Sequence, residues 1–514
     1  MMKLHRLYKL VYSNKFIAWI MLAFQILLLC AGFVWLKDYS RVYFGLVSVT
    51  SALLLIYEIN RREAPEFKMT WMIVIAIIPL FGALMYLYTR FGFISKGIAI
   101  NHREVCKEID PIVPCDDEVY EKAKAQSGIG GLVHYLKYSA AKSAPYANTQ
   151  VEYYKLGEEM YVQMKKEMEN AKHFIFMEFF IVNQSSTMWH EMFDILSRKV
   201  REGVEVRLLY DGIGSVATLP KNFTLMLDNA NIRHAEFAPV KPLLSTYQNN
   251  RDHRKIIVID GEVAFTGGIN IADEYVNRIS RFGHWKDNGI KVVGDAVDKF
   301  SAMFLEMWNT VSDDDKDYTK YIGAGNKEKT DTTGFVIPYG DCPLDEDNIG
   351  KRVYIDLINR AEEYVHIMTP YLVLDNETME ALRYAVSRGV DVKIIIPHHP
   401  DKAYAYWLAH TYYPELMHYG VEIYEYLPGF IHAKTMIVDN KYTVVGTVNF
   451  DYRSFYLHYE CAVLMAGVDE IEKIETDFTD TVSKSEKITQ EIYKQFNPIT
   501  KLIGRGIRIL APII

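Results

Sequence analysis

The chain has 514 residues, half of them apolar, and a net charge of −8. That length leaves room for more than one domain with a substantial core, and the acidic balance argues against a protein built to grip nucleic acid, which needs a concentrated basic surface. The five cysteines, Cys30, Cys106, Cys115, Cys342 and Cys461, have neither paired nor metal-ligand spacing, so no disulfide framework and no zinc site is expected.

The first ninety or so residues read as a membrane anchor. Phe16 to Leu36, Val42 to Ile59 and Trp71 to Tyr88 are apolar runs, each about long enough to cross a hydrocarbon core of roughly 30 Å. The first is too long for a signal peptide and is followed by further apolar runs. Two to three transmembrane helices are therefore expected over residues 1–91, in a multi-pass protein of the cell membrane. Basic residues divide almost evenly between the two sets of flanks, so the positive-inside rule favours neither orientation. Residues 92–145 read as a polar linker.

Beyond it, short apolar strands alternate with helices. His173 to Val182 reads as a buried strand, Met188 to Glu202 as an amphipathic helix and Val204 to Tyr210 as the next strand. Tyr364 to Thr369, Glu377 to Ser387 and Val390 to Ile396 repeat that order, and Arg201-Glu-Gly-Val-Glu-Val-Arg207 is matched by Ser387-Arg-Gly-Val-Asp-Val-Lys393. The duplication implies two α/β domains with mixed sheets, over residues 146–330 and 331–496. Residues 497–514 form a basic amphipathic tail suited to anionic headgroups. His398-His399 reads as a solvated loop. The aromatic cluster Tyr404, Tyr406, Trp407, Tyr412 and Tyr413 suits either a helix on the core or a lipid entrance.

Each half carries one unusual pattern, His253-x-Lys255-x4-Asp260 and His432-x-Lys434-x4-Asp439, 179 residues apart. Each continues to an asparagine, Asn270 or Asn449, ten residues past its Asp. Matching downstream spacing makes coincidence untenable. On a strand, alternation puts His253 and Lys255 on one face and leaves Asp260 at the strand end, as an orienting group before the Gly261 turn. Two histidines can supply a nucleophile and a general acid near neutral pH. Two lysines and two asparagines can stabilise the nonbridging oxygens of a phosphoryl transition state. Such a site cleaves a phosphodiester without metal or cofactor.

These segments, with Gly283-His-Trp-Lys-Asp287, Tyr424-Glu-Tyr-Leu-Pro-Gly-Phe-Ile-His-Ala-Lys434 and Gly446-Thr-Val-Asn-Phe-Asp-Tyr-Arg-Ser454, resemble the phospholipase D superfamily and, within it, the bacterial cardiolipin synthases. The resemblance runs the length of the chain. It implies two phospholipase D-like α/β domains facing each other across a pseudo-twofold axis, with one site between them. It also implies transfer of a phosphatidyl group between two phosphatidylglycerols through a phosphatidyl-histidine, giving cardiolipin and glycerol. The alternative is a phospholipase D or related phosphatidyltransferase using water or another alcohol. The symmetry of the copies favours neither histidine; analogy makes His253 the nucleophile and His432 the acid and base. Lys255, Lys434, Asn270 and Asn449 would cradle the phosphate, and Asp260 and Asp439 would set their environment. Glu178 and Glu460 are candidate carboxylate partners of the histidines. The expected partners are phosphatidylglycerol and other anionic membrane lipids. Tyr456, His458 and Tyr459 stand where family members more often carry Glu, Asn and Phe, and three apolar runs stand where two suffice in many relatives.

Overall fold

The structure, a computed structural model, describes residues 40–90, 93–126, 128–239, 249–312, 314, 316–325, 327, 332–345 and 347–513. The chain divides into two compact units, one made of Ile98–Pro239 with Asn250–Arg508 and the other of the remaining residues.

In the larger unit both halves of the repeat are built alike. The first half is a seven-stranded sheet in the order Thr149–Tyr154, Gly289–Gly294, Val263–Gly267, Lys255–Ile259, Phe174–Phe179, Glu205–Asp211 and Arg233–Phe237. The fifth strand in that order, Phe174–Phe179, runs parallel to Glu205–Asp211 and antiparallel to Lys255–Ile259. In the second half Tyr364–Met368 has the same neighbours, parallel to Asp391–Pro397 and antiparallel to Thr435–Val438. Both are mixed sheets, and both of these inner strands are apolar because helices cover their faces. The helix after each of them starts on a side-chain cap. Ser186 Oγ accepts from Trp189 N (3.1 Å) and Asp375 Oδ1 from Thr378 N (2.8 Å). Each stops at a left-handed glycine, Gly203 (φ 94°) or Gly389 (φ 92°), which is why the repeated phrase carries Gly at that position. Helix Val297–Val311 is almost wholly buried, and its Phe304 ring stacks on Phe176 of the first sheet at 4.5 Å.

Two short parallel pairings tie the halves together. Arg251–Asp252, of the first half, pairs with His458–Tyr459 of the second. Gly429–Ile431, of the second half, pairs with His284–Lys286 of the first. Each pairing comes immediately before a signature histidine.

The aspartates of the two signatures hold strand entries. Asp260 accepts from the backbone N–H groups of Lys172 (2.7 Å), His173 (2.7 Å) and Phe174 (2.8 Å). Asp439 accepts from those of Glu362, Glu363 and Tyr364, each at 2.8 Å. Both residues have positive φ (55° and 54°), which turns the carboxylate back onto the neighbouring strand's start. Both carboxylates are spent on backbone amides at the strand entries.

Two other expectations are revised. The stretch 92–145 contains three helices, Phe93–Ile109, Asp117–Ala125 and Gly130–Tyr138, and is bonded into the larger unit: Asn101 donates to Thr310 O (2.8 Å) and Tyr135 to Asp347 (3.2 Å). Its polar residues are the solvent faces of these helices, which made it read as a linker. In the smaller unit the run Trp71 to Tyr88 is split. Helix Pro65–Ile77 leaves helical geometry at Ile78 (ψ 73°), and a second helix, Pro79–Arg90, starts on the proline. The pieces have 13 and 12 residues, about 20 and 18 Å, too short for a bilayer core. They fold back on each other with Gly82 against the backbone of Val74 and Ile75. Val42 to Ile59 lies in helix Ser40–Ile59, interrupted by Ser48, Thr50, Ser51 and Glu58, and the buried Glu58 accepts a hydrogen bond from Tyr86. Among the described residues no helix is long and apolar enough to cross a membrane. Phe16 to Leu36 lies outside the described residues.

Replacing Asp260 by Ala strips three amides of their acceptor and is expected to destabilise the protein by roughly 2–4 kcal/mol. Thermal unfolding of the purified variant should show this as a lowered Tm, with activity per folded molecule close to wild type at low temperature. An Asp260→Ala protein of normal Tm but no activity would place the carboxylate in the chemistry instead.

Candidate active site

The two short inter-half pairings set the site. Pairing Arg251–Asp252 with His458–Tyr459 is continued by a hydrogen bond from His253 N to Tyr459 O (2.9 Å), which brings His253 opposite Glu460. His253 Nδ1 lies 3.0 Å from both Glu460 oxygens. The other crossing does the same: His432 N donates to Lys286 O (2.7 Å), and His432 Nδ1 meets Asp287 Oδ2 at 2.7 Å. Each histidine is therefore held by a carboxylate of the opposite half, and in each case Nε2 is left as the ring nitrogen for chemistry. Aromatic rings fix the imidazoles further. Phe180 lies 5.2 Å from His253, and Tyr275 and Trp285 lie 5.5 and 5.4 Å from His432.

Lys255 and Lys434 are buried, and each ammonium donates to the carbonyl of the histidine two residues before it. Asn270 Oδ1 accepts from Ile181 N (3.0 Å) while its Nδ2 donates to Tyr275 OH (2.9 Å). Asn449 is buried with its Oδ1 unpaired. Among the described residues, His253, His458 and Glu460 form the group whose ligand-type atoms lie within 4.8 Å of one another and could hold a metal ion. Glu460 also accepts from the hydroxyls of Thr447 and Ser454 (2.7 Å to the latter) and faces His253 Nδ1.

Burial pushes every cation of the site toward its neutral form. It holds His253 well below the usual imidazole range, aided by Lys255, His458, Lys434 and His432. It brings His432 down to about 4, with Lys434 adding to the effect and Asp287 opposing it. It lowers Lys255 to about 8 and Lys434 to about 7. Burial also pushes the Glu460 carboxyl well above the usual range, against the opposing charge of Lys255. The signature residues of one copy thus feel those of the other. The site is a cluster of crowded, desolvated bases.

Glu178 is not a histidine partner. It stands opposite Ile256 in the strand register and so shares a face with Arg254, one residue out of step with His253 and Lys255. Its carboxylate accepts from Arg254 Nε at 2.6 Å. Asp287, which takes the role beside His432, ends the segment Gly283 to Asp287 and is not among the expected partners of the histidines. Its signal was the repeat itself, because Glu460 and Asp287 each follow the strand pair that crosses between halves. Thr447, Ser454 and His458, all around Glu460, carried no comparable mark. His398 and two members of the aromatic cluster gather around another carboxylate: Glu425 is bonded to His398 Nδ1, Tyr406 OH and Tyr413 OH, each at 2.8 Å.

Comparison with known proteins gives the family of the chain. The family described as "Cardiolipin synthase, PLD-like domain" matches residues 164–308 and 354–482, and "Phospholipase_D-nuclease N-terminal" matches 49–90. A protein of Streptococcus mutans described as uncharacterized is 42% identical over 89% of this chain and 99% of its own length. The cardiolipin synthase of Alkalihalophilus pseudofirmus is 31% identical over 97% of this chain and 99% of its own. Cardiolipin synthase 2 of Bacillus cereus is 32% identical over 88% of this chain and 87% of its own. Among solved structures, the phosphatidylserine synthase of Haemophilus influenzae Rd KW20 has a TM-score of 0.56 at 16% identity, covering 72% of this chain and 97% of that one, a likeness of fold. With both halves of the repeat inside the family match and cardiolipin synthases aligned along nearly the whole sequence, the chain belongs to the cardiolipin synthase family of phospholipase D-like proteins.

Proposed function

We propose that this chain makes cardiolipin, transferring the phosphatidyl group of one phosphatidylglycerol to the terminal hydroxyl of another and releasing glycerol. The observation that carries the reading is the pair of buried histidines, each with Nδ1 on a carboxylate and two lysines beside them. In the first step His253 Nε2 attacks phosphorus, an N–P bond forms, and the bond to the glycerol oxygen breaks as His432 gives that oxygen its Nε2 proton. Neutral His432 then takes the proton of the second lipid's terminal hydroxyl. That oxygen attacks phosphorus and the N–P bond breaks, its electron pair returning to His253. The substrate anion offsets the burial and lysine charge that hold His432 near 4, so the protonated imidazole belongs to the substrate complex. Lys255, Lys434 and Asn449 stabilise the nonbridging oxygens, and none of these steps calls for a metal.

The reaction belongs at a membrane surface. Val42, Leu46, Val49, Leu53 and Ile56 form an exposed apolar row along Ser40–Ile59. Ile499, Leu502 and Ile503 are exposed on helix Pro498–Leu510, which also carries Lys501, Arg505 and Arg508 for anionic headgroups.

Purified protein added to phosphatidylglycerol vesicles should produce cardiolipin and glycerol in equal amounts, with EDTA present or absent. His253→Ala and His432→Ala should each lose at least about 10²-fold in rate. Phosphatidic acid as the main product would replace this reading with hydrolysis, and strict dependence on a divalent ion would overturn the metal-free steps.

The lysines sharpen the pH dependence. Each is needed charged and is charged only below its lowered value, so the fall of kcat/KM with pH that uptake of the His432 proton already imposes should steepen as pH rises through about 7 to 8. A kcat/KM profile in mixed micelles whose slope is unchanged to pH 9 would show that these charges are not required.

A further inference from the structure

Behind His253 stands a third histidine that the steps above do not use. His458 begins strand His458–Ala466, is buried, and has its ring centroid 5.4 Å from that of His253. Its Nε2 accepts a hydrogen bond from Arg453 Nε (3.1 Å). A guanidinium does not give up its charge in a protein, so that ring nitrogen keeps its lone pair and the neutral ring carries its proton on Nδ1. Burial and the charges of Arg453, Lys255, Arg251 and Lys402 keep the ring neutral. Among the described residues Nδ1 has no hydrogen-bond partner, and it lies 3.7 Å from Glu460 Oε1, the carboxylate that holds His253 Nδ1 at 3.0 Å.

We propose that His458 is a positioning residue for His253, acting through the carboxylate they share. A buried N–H at this distance closes on the carboxylate when substrate draws the site together, since catalytic hydrogen bonds are longer in the unliganded form. The order is then Arg453, His458, Glu460, His253, and the last member is the nitrogen that must face phosphorus. His458 fixes which way Glu460 points and so keeps the His253 proton on Nδ1 and the lone pair on Nε2. It touches no reacting atom. The inference rests on the reading of His253 as a reacting residue.

Three variants separate this from packing. In His458→Asn the amide nitrogen takes the place of Nδ1 and keeps the donor to Glu460. In His458→Gln the amide lies where Nε2 was and the donor is lost, and His458→Phe keeps the ring's shape with no polar atom. The assay is release of glycerol from phosphatidylglycerol in mixed micelles by the purified full chain, with thermal unfolding as the check on folding. His458→Asn should stay within about threefold of wild type. His458→Gln and His458→Phe should lose about 10–100-fold in kcat, with KM within about twofold. Should the Phe variant fail to fold, the contrast of Asn with Gln carries the test. Near-normal kcat for a folded Phe or Gln variant, or an Asn variant as impaired as Gln, would overturn the inference. Wild-type release that yields phosphatidic acid counts against the transferase reading alone, because the variant ratios are measured on the first step and still decide the role of His458.

Discussion

The site depends on an exchange between halves: each gives up two or three residues of backbone to pair in parallel with a strand of the other. A parallel pairing fixes register residue by residue, so with Arg251–Asp252 seated on His458–Tyr459, His253 has to meet Glu460. The same logic on the other side joins His432 to Asp287. Neither half has both members of either pair. An isolated half would present a histidine with an unanswered Nδ1, and the fold's duplication becomes a single chemical device only when both crossings are made.

That arrangement resolves a conflict in the electrostatics. Two histidines and two lysines buried together repel one another and resist ionisation, as the lowered values of His432, Lys255 and Lys434 show. The carboxylates offset part of this from behind, and a phosphodiester offsets the rest from the front. A preorganised cluster of buried lysines and histidines is well suited to a transition state whose charge sits on nonbridging oxygens. The aspartates of the signatures stay out of the balance because six backbone amides consume them. Their constancy of spacing reflects strand geometry: a five-residue step from Lys to Asp carries the chain from the site to the far end of the sheet.

Much of this was legible in sequence, for reasons particular residues make plain. His253 with Lys255 and His432 with Lys434 declared themselves because strand alternation preserves their spacing in both copies. The order of strand and helix was clear because a helix ends at Gly203 and at Gly389 and an apolar strand follows each, in matching phrases. Glu178 misled because period-two alternation tells which residues share a face only once the register is known, and Glu178 pairs with Ile256 on the Arg254 face. Asp287 needed the crossing between halves, a contact that no local pattern records. The run Trp71 to Tyr88 had the hydropathy of one span, but Pro79 starts a new helix and turns the segment back on itself. Hydropathy sums along a chain and is blind to where that chain folds.

The central claim is that Glu460 serves the histidine that attacks and Asp287 the one that protonates. It is tested most directly by trapping the phosphatidyl-enzyme from a phosphatidyl ester whose leaving group, such as a nitrophenol, departs without a proton. Asp287→Asn should still label His253 rapidly from this ester, because the acid is no longer needed, while Glu460→Gln should label it slowly. Rapid labelling in Glu460→Gln with none in Asp287→Asn, or label found on His432, would contradict the account.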